Sequence, residues 1–415
     1  MFSSPLSEQL AQTADIIVRI RQGESLADGL MNRLKSTDRP AVQDMLYRYL
    51  RAYAWGDTVL SGFLNKPLKD PYLQALLGLA LHQLSQKNCP PHTLVNEAVK
   101  TVGAYQGGRF KPLANAVLRN FLRQEANGHM PTLPDEARWG HPAWWITRLQ
   151  KDHPKHWISI LEAGNTHPPM ALRINRRRTN RESWLTLARA AGIHATPSGE
   201  HGVLLDTPYP VQALPGFFDG EISVQDLGAQ RAADLLTLPP GSRALDACAA
   251  PGGKAAHWLE AQSLHLTALD ISPERCQKIQ ETLARLGLSA QIKVGDCRKT
   301  ETWWDGVPYD AILADVPCSA SGVVRRHPDS KWLRRPNDIA RFAKTQREIL
   351  LALSSVLRPG GKLLYATCSV FRQENQQQIA HFLADHPSMT LCQEIQLLPN
   401  AQHDGFYYAL LARHD

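Results

Sequence analysis

The amino-acid sequence predicts an α/β fold class in which three regions differ in pattern. Apolar residues at three- and four-residue steps predict an all-helical amino-terminal region. Short strand patterns that alternate with helix patterns predict a carboxy-terminal region built on a parallel, doubly wound sheet, with a small mixed α/β region before it. We place these three domains at residues 1–127, 143–220 and 221–415.

The amino-terminal region carries three apolar stripes, at residues 73–84, 95–102 and 113–121. Each stripe covers one side of a helix and predicts that this side is buried in a core. In the middle region, residues 171–175 alternate as a strand does, and residues 181–191 suit a helix.

The carboxy-terminal region contains a well-marked helix between two strand patterns. Ser272 can cap this helix, Pro273 suits its first position, and Gly287 stands where a left-handed stop is needed. Ligands bind at the carboxyl ends of the strands in such a sheet, so the residues after each strand form the candidate site. The predicted strands are residues 243–247, 264–270, 291–296, 309–314 and 362–367.

Composition and charge exclude several classes of protein. The 415 residues are 43% hydrophobic and 20% charged, which is ordinary for a globular protein, and no apolar run reaches the length of a membrane span. We expect no signal peptide, because residues 1–19 lack a basic stretch followed by an apolar one. Seven scattered cysteines indicate a reducing cytoplasm. The net charge of +7 mildly favours a polyanionic partner.

A loop of small residues follows the first predicted strand, with the sequence Asp246-Ala-Cys-Ala-Ala-Pro-Gly-Gly-Lys254. Such a loop lets the backbone approach a nucleotide-like ligand closely. A phosphate-binding P-loop is excluded, because Cys248 and Ala255 stand where it needs Gly and Ser or Thr, and the dinucleotide fingerprint is absent.

Acidic residues end the next two predicted strands. Asp270 can accept hydrogen bonds from a ribose diol, and Asp296 can hold an adenine edge. The alternative is that these aspartates are helix caps or turn residues. Their position beside the small-residue loop favours a ligand site.

Cys318 and Cys368 follow the fourth and fifth predicted strands, so we expect them to be neighbours although they lie far apart in sequence. A lone cysteine is usually a small buried hydrophobe, which is our interpretation of Cys276 and Cys297. The pair at the strand ends instead predicts chemistry. The residues alone do not decide which of the two thiols attacks a substrate.

Cytosine methylation at C5 explains why thiols and a carboxylate occur together. C5 is too electron-poor to take a methyl group directly, but a thiolate that adds to C6 makes C5 nucleophilic. Asp315 can supply a proton or hydrogen bond to the ring, and a second thiol can help its release. Methylation of an exocyclic amine is disfavoured, because Cys318 replaces the aromatic platform in Asp315-Val-Pro-Cys318.

A basic segment follows the Cys318 loop. Basic groups beside an aromatic ring suit phosphate contact and base stacking on RNA, whereas the alternative is a solvated charged face. The arginines within residues 173–181 have the same two interpretations. No metal site is expected, because Cys89 and His92 lack a second pair of ligands. The predicted RNA-binding residues are Arg325, Arg326, His327, Lys331, Trp332, Arg334 and Arg335.

These motifs resemble those of the RNA cytosine-C5 methyltransferases, the family of the Sun/Fmu and NSUN proteins. Residues 323–335 and 365–375 are similar to the bacterial branch that methylates 16S ribosomal RNA. In that branch a helical NusB-like RNA-binding domain precedes the catalytic domain, and residues 38–40 and 113–120 resemble it. The motifs that carry the resemblance are Asp246–Lys254, Asp315–Ser319 and Thr367–Ser369.

The resemblance implies a Rossmann-like, S-adenosylmethionine-dependent enzyme that methylates C5 of cytosine 967 in naked or early-assembly 16S ribosomal RNA. By the same resemblance Cys368 is the nucleophile and Cys318 the release helper. We expect a cytoplasmic monomer that contacts no membrane. The implied cofactor residues are Cys248, Ala249, Ala250, Pro251, Gly252, Gly253, Lys254, Asp270, Asp296 and Asp315.

Two alternatives stay open. One is an enzyme of the same chemistry that acts on tRNA, which the helical amino-terminal region disfavours. The other is a non-catalytic RNA-binding assembly factor, which the intact Cys318, Cys368 and Asp315 disfavour.

Overall fold

A computed structural model describes residues 3–414, so the outer limits predicted for the first and last domains, residues 1 and 415, lie outside the described residues. Two compact units are present. Unit 1 comprises the described residues up to Thr166 together with Val324–Arg334, and unit 2 comprises His167–Val323 and the described residues from Arg335 onward.

The helices are numbered in chain order. They are α1 (Leu6–Arg21), α2 (Arg39–Arg51), α3 (Tyr53–Gly62), α4 (Pro71–Gln86), α5 (Pro91–Ala104), α6 (Lys111–Ala126), α7 (Asp135–Trp139), α8 (Ala143–Asp152), α9 (Trp157–Asn165), α10 (Arg181–Ala190), α11 (Leu227–Leu235), α12 (Gly253–Ala261), α13 (Pro273–Leu286), α14 (Ser330–Leu333), α15 (Pro336–Ser355) and α16 (Gln376–Asp385).

The strands are numbered in the same way. They are β1 (Met170–Ile174), β2 (Ala195–Ser198), β3 (Gly202–Leu205), β4 (Ile222–Val224), β5 (Arg243–Asp246), β6 (His265–Asp270), β7 (Gln291–Val294), β8 (Tyr309–Asp315), β9 (Leu357–Thr367), β10 (Met389–Leu397) and β11 (Phe406–Arg413).

Unit 1 is helical, as the apolar stripes predict. The stripes become α4, α5 and α6, and they share one core with α1, α2 and α3. Asp70 caps α4 by accepting a hydrogen bond from the Leu73 amide at 3.0 Å, ahead of Pro71 at the first helical position. The helices α8 and α9, which follow the predicted boundary at residue 143, group with unit 1 through their contacts.

Unit 2 begins with a small antiparallel sheet of strand order β2-β3-β1-β4. The predicted strand and helix of the middle region are confirmed as β1 and α10. Leu172, Trp184 and Val203 lie in the small core between the sheet and α10. The strands β2, β3 and β4 are three or four residues long, which is too short for periodicity to reveal them.

The main sheet of unit 2 has the strand order β10-β11-β9-β8-β5-β6-β7. The pairs within β9-β8-β5-β6-β7 are parallel, which confirms the predicted doubly wound fold class. The pairs of β11 with β9 and β10 are antiparallel, a feature that the sequence analysis did not predict. The chain runs outward from β5 through β6 and β7, and then returns to β8 on the opposite side. The topological switch point therefore lies between β5 and β8.

The helix α13 shows why local sequence places the strand ends accurately. The Ser272 hydroxyl accepts from the Arg275 amide at 3.3 Å, and Gly287 ends the helix at a φ of +67°. Both features confirm the predicted cap and stop. Among the described residues, no helix combines the length and apolar character needed to cross a membrane.

Candidate active site

A cavity of about 300 Å³ opens at the carboxyl ends of β5, β6, β8 and β9 in unit 2. This is the switch point of the sheet, where doubly wound folds bind ligands. Its size is at the lower end of the range for small-molecule pockets. Seven of the residues predicted for the cofactor or the chemistry line it: Cys248, Ala250, Asp270, Asp296, Asp315, Cys318 and Cys368.

The loop after β5 turns sharply into α12. Gly252 caps α12 at a φ of +98°, and a Cβ there would lie 3.3 Å from the Cα of Ile279 on α13. Glycine is therefore required both by the backbone angle and by the close approach of the two segments. The turn leaves Cys248 and Ala250 on the cavity wall, while Ala249 is buried behind it.

Asp270 is held rigidly at the end of β6. Its carboxylate accepts hydrogen bonds from the Ala250 amide at 3.1 Å and the Ser272 amide at 3.2 Å, and the side chain is buried. Beside it, the apolar side chain of Ile271 lines the cavity although it is 60% exposed. A fixed acid next to an exposed apolar surface fits a ribose and the base attached to it.

Asp296 follows β7 and is paired with Arg298, whose Nη2 lies 2.7 Å from Asp296 Oδ2. The hydrogen bonds from Arg298 lower the pKa of Asp296 below its usual value, so the carboxylate is charged at neutral pH. Arg298 also lines the cavity and pairs with Glu348 at 2.7 Å. Asp296 is thus in place as predicted, with an arginine beside it that the sequence analysis did not select.

A charged cluster lies where the loop after β5 meets the end of β8. Lys254 Nζ donates to Asp315 Oδ2 at 2.6 Å. Burial alone lowers the pKa of Lys254, but the negative charges of Asp315 and Cys368 raise it above its usual value. The ammonium group therefore lies close to both the Asp315 carboxylate and the Cys368 sulfur.

Asp246, at the end of β5, belongs to the same cluster. Its side chain is 1% exposed, and neither carboxyl oxygen meets a hydrogen-bond donor at bonding geometry among the described residues. Burial, followed by the negative charge of Asp315, raises the pKa of Asp246 to about 7. A buried carboxyl group with a raised pKa, one residue before the cavity wall at Ala247, is typical of functional sites.

Cys318 and Cys368 are neighbours, as the strand ends predict, with their sulfur atoms 3.4 Å apart. The hydrogen bond between them, and next burial, raise the pKa of Cys318 well above its usual value. Cys318 therefore keeps its proton and can donate it in a hydrogen bond to the sulfur of Cys368. The order of the two thiols still rests on the family resemblance, which gives the attack to Cys368.

The basic segment after the Cys318 loop contains both buried and exposed side chains. Lys331 and Arg325 are buried within unit 1, where Lys331 Nζ donates to Asn165 Oδ1 at 2.7 Å. Trp332 Nε1 donates to the Leu50 carbonyl oxygen at 2.7 Å. Lys331 and Arg325 are therefore committed to the packing of unit 1, while Trp332 is half-buried with its indole nitrogen bonded within unit 1. Among the predicted RNA-binding residues, His327 and Arg335 are exposed, while Arg326 and Arg334 are half-buried.

The arginines of the middle region are also used structurally. Arg173 is 1% exposed and forms a two-pronged ion pair with Glu260 at 2.7 and 2.8 Å. Arg177 donates to the Glu260 carbonyl oxygen at 3.2 Å, and Arg178 donates to that of Leu286. These contacts join the small sheet to the main sheet within unit 2. For Arg173 in particular, the alternative of a solvated charged face is wrong.

Three features of the site escaped the sequence analysis. Cys297 lines the cavity with Cys248, and the hydrogen bond between their thiols raises the pKa of Cys248 and lowers that of Cys297. Glu374 is buried behind the two strand-end cysteines. The sequence signal for Cys297 was its place directly after Asp296, and for Glu374 it was the single acid in a polar stretch shortly after the Cys368 strand end. The third feature is the unpaired carboxyl group of Asp246.

One group of described side chains has the spacing of metal ligands. The ligand atoms of Glu200, His201 and Asp234 lie within 4.8 Å of one another in unit 2. The two acids are exposed, and exposed acids commonly approach a histidine without holding an ion. The group lines no part of the cavity described above.

The fold and the site together define a class of protein. A doubly wound sheet with a small-residue loop after its first strand, acids at the following strand ends and no dinucleotide or P-loop motif is the architecture of the Rossmann-like methyltransferases.

Comparisons with known proteins agree with this class. Residues 233–412 match the family model described as 16S rRNA methyltransferase RsmB/F, residues 141–212 match the ferredoxin-like domain of RsmF/B-like methyltransferases, and residues 9–123 match the NusB family. The ribosomal RNA small subunit methyltransferase B of Vibrio cholerae is 41% identical over 407 residues, which cover 94% of each chain. The protein with that name from Escherichia coli K12 is 40% identical over 424 residues, 98% of each chain. The chain belongs to the RsmB/F family of 16S rRNA methyltransferases.

Solved structures share the fold. The crystal structure of PH0851 has a TM-score of 0.80 and 22% identity, and the match covers 99% of this chain and 100% of that one. The structure of NSun6 from Pyrococcus horikoshii with SFG has a TM-score of 0.58 and 20% identity, covering 66% of this chain and 98% of that one. The predicted fold class, with its NusB-like, small mixed and Rossmann-like parts, is confirmed by these matches and by the strand order.

Proposed function

We propose that this protein transfers a methyl group from S-adenosylmethionine to C5 of a cytosine in 16S ribosomal RNA, cytosine 967 by the family resemblance. The observation that carries the proposal is the thiol pair. Cys318 and Cys368 lie 3.4 Å apart on the wall of a cavity that also holds Asp270, Asp296 and Asp315. A pair of thiols beside a nucleotide-like site suits covalent activation of a pyrimidine.

The cavity residues fit S-adenosylmethionine as the cofactor. Asp270 would hold the ribose diol, Ile271 would cover one face of the adenine, and Asp296 would hold an edge of that ring. The unpaired carboxyl group of Asp246 leaves an acceptor for a cationic or donor group of the cofactor. When bound, S-adenosylmethionine supplies an electrophilic methyl group.

The protein's own residues account for the activation of the base. The Cys368 sulfur, which lies within electrostatic reach of the Lys254 ammonium group, forms a bond to C6 of the cytosine as the thiolate. The electron pair displaced from the ring double bond makes C5 nucleophilic, while Asp315 can hydrogen-bond the ring as charge develops there. Loss of the C5 proton and cleavage of the bond between sulfur and C6 then restore the aromatic ring. Cys318, which keeps its proton, can stabilise the departing Cys368 sulfur with a hydrogen bond.

The RNA partner is supported by the family and by the NusB-like region of unit 1. The matched relatives are named for ribosomal RNA, and they cover nearly the whole of this chain. The exposed His327 and Arg335 are the remaining candidates for RNA contact in the predicted basic segment. A cytoplasmic, monomeric state and the use of naked or early-assembly RNA stay predictions.

The test is methylation of purified 16S rRNA with labelled S-adenosylmethionine, with bisulfite sequencing to locate the product. Wild type should label one cytosine at C5, and Cys368→Ser should label none. The exposed Cys392→Ser serves as the matched control and should retain activity. Label on tRNA with unlabelled rRNA would favour the tRNA alternative. RNA binding without any methylation by the wild type would favour an assembly factor.

A further inference from the structure

Glu374 lies in the loop between β9 and α16, and its carboxylate is fully buried behind the two cysteines. One oxygen, Oε1, accepts from the Ser319 amide at 2.8 Å. The other, Oε2, accepts from the hydroxyls of Ser319 at 2.5 Å and Ser369 at 2.6 Å. Ser319 directly follows Cys318, and Ser369 directly follows Cys368. A single carboxylate thus holds the residue after each thiol.

The same carboxylate is anchored from a third direction by α15. Gln346 Nε2 donates to Glu374 Oε1 at 3.1 Å and also to the Pro317 carbonyl oxygen at 3.0 Å. The two serine hydroxyl oxygens lie 3.2 Å apart, side by side on the same carboxylate oxygen. Every polar atom in this group is buried, so each lost bond leaves a group that water cannot satisfy.

The sheet alone does not fix the distance between the two thiols. The last paired residues of β8 and β9 are Asp315 and Ala366, and the cysteines lie beyond that pair on separate loops. A backbone bond from the Gly322 amide to the Cys368 carbonyl oxygen, 2.8 Å long, also joins the loops. Ser321 links them too, because its hydroxyl oxygen lies 2.9 Å from that of Ser369 and accepts from the Val370 amide at 2.9 Å. The connection that reaches the residue after each cysteine from a single group runs through Glu374.

We propose that Glu374 is a positioning residue that sets the separation of the Cys318 and Cys368 sulfur atoms by clamping the two loops through Ser319 and Ser369. Its part in release of the methylated base rests on the proposed function, whereas the clamp itself does not. Burial raises the pKa of Glu374, and the serine hydrogen bonds oppose that rise. The clamp therefore depends on shape and hydrogen bonding more than on a full negative charge.

Three substitutions separate shape from charge. Glu374→Gln can keep the clamp, because its oxygen can accept from the Ser319 amide and Gln346 while its amide group donates to the two hydroxyls. Glu374→Asp keeps the charge but shortens the side chain by one carbon–carbon bond, about 1.5 Å, so it cannot reach both loops. Glu374→Ala removes the clamp entirely. Glu182→Ala, at a side chain 77% exposed on α10, is the matched control.

The first measurement does not depend on methylation. Oxidised glutathione converts the two thiols to a disulfide and is itself reduced to two glutathione thiols, so the equilibrium reports how closely the sulfurs are held. Mass spectrometry of digested protein distinguishes a Cys318–Cys368 link from one between Cys248 and Cys297. We expect Glu374→Ala and Glu374→Asp to lower the equilibrium constant at least about tenfold, and Glu374→Gln and the control to change it less than about threefold.

The second measurement follows RNA methylation in a single turnover. We expect Glu374→Asp to slow product release and to accumulate a covalent protein–RNA species on a denaturing gel, because Cys318 no longer meets the leaving sulfur. If the substitution only reduced the amount of folded protein, the covalent adduct and the methylated product would both fall by the same factor. Thermal unfolding measures the folded fraction. Glu374→Gln should resolve its adduct nearly as the wild type does.

The outcomes are distinguishable. Folded Asp and Ala variants with wild-type disulfide equilibria would overturn the clamp, as would a Gln variant as impaired as Ala. If Glu374→Ala does not fold, the Asp and Gln variants decide alone. Shifted disulfide equilibria in a protein that methylates no RNA would leave the clamp standing and remove the proposed function.

Discussion

The Nζ atom of Lys254 lies 2.6 Å from Oδ2 of Asp315 and joins the loop after β5 to the end of β8. The pair spans the topological switch point, so the cofactor loop and the strand that carries the chemistry share one ion pair. The Cys368 sulfur lies within electrostatic reach of the same ammonium group. One lysine is therefore close to both Asp315 and Cys368, the two residues to which the proposed function gives the ring contact and the attack on C6.

Replacing Lys254 with Met should consequently impair chemistry more than cofactor binding. We expect the single-turnover rate of methylation to fall about 100-fold, which corresponds to about 3 kcal/mol of lost transition-state stabilisation. The dissociation constant for S-adenosylmethionine, measured by calorimetry, should change less than about threefold. Lys278→Met, at an exposed position on α13, is the control. A variant that turns over normally but loses cofactor affinity would contradict this division.

Asp246 predicts a pH-dependent effect on stability. Its pKa is raised from 3.8 to about 7 in the folded protein, so between those values the folded state holds a proton that the unfolded state releases. Stability is therefore lost as the pH rises through this window, by up to about 4 kcal/mol above pH 7. The Asp246→Asn variant has no carboxyl group at this position and does not lose this stability as the pH rises.

The measurement for Asp246→Asn is chemical denaturation of both proteins at pH 5 and pH 8. Between pH 5 and pH 8 the free energy of unfolding of the variant should rise by a few kcal/mol relative to that of the wild type, so the variant becomes the more stable of the two as the pH rises. The comparison cancels the titration of all groups that the two proteins share. A difference that is the same at both pH values would show that Asp246 does not carry a raised pKa.

We expect Asp270 to contribute to the affinity for the cofactor. Its carboxylate is fixed by the Ala250 and Ser272 amides, which leaves its orientation unchanged when a ligand binds. Replacing it with Asn should weaken binding of S-adenosylmethionine about 10- to 100-fold, the value of one or two hydrogen bonds to a charged group. Glu281→Gln on the exposed side of α13 should have no effect. Unchanged affinity in the Asp270 variant would remove this residue from the cofactor site.

The position of Cys318 predicts the step at which the reaction stops when the methylated RNA is not released. Because its proton is available to the Cys368 sulfur, Cys318→Ala should form the covalent RNA adduct but resolve it slowly. The adduct should persist on a denaturing gel, whereas Cys368→Ser should form none. Turnover of Cys318→Ala at the wild-type rate, without a trapped species, would exclude a role in release.

Sequence reasoning predicted several residues that line the candidate cavity, because these residues follow strand ends and strand ends are encoded locally. The cap at Ser272 and the stop at Gly287 bound α13, and thereby place Asp270 on the edge of the cavity. The prediction that Cys318 and Cys368 are neighbours followed from their positions after two adjacent parallel strands, β8 and β9.

The features that sequence reasoning missed depend on tertiary contacts. Glu374 meets Ser319 only because two loops converge in space, and no periodic pattern marks that meeting. Lys331 has the same appearance in sequence as an exposed lysine, yet it is buried with Asn165, a residue far away along the chain. The strands β10 and β11 form an antiparallel edge of the sheet, which a pattern of alternating strands and helices does not predict.

The basic segment supplies the last prediction, because Lys331 and Arg335 should behave oppositely. Lys331→Met leaves the side-chain oxygen of the half-buried Asn165 without its donor, so we expect the free energy of unfolding to fall by about 1 to 3 kcal/mol. Its affinity for rRNA, measured on folded protein, should stay within about twofold. Arg335→Gln, at an exposed side chain, should leave stability within about 0.5 kcal/mol of wild type.

RNA binding is where Arg335→Gln should differ. Loss of one phosphate contact should weaken binding several-fold and reduce the salt dependence of the affinity by about one counterion. Filter binding of rRNA at several salt concentrations measures both quantities. If Lys331→Met reduced affinity and the salt slope while Arg335→Gln changed neither, the RNA would be contacting the segment through a rearranged unit 1. The burial of Lys331 would then describe only the RNA-free protein.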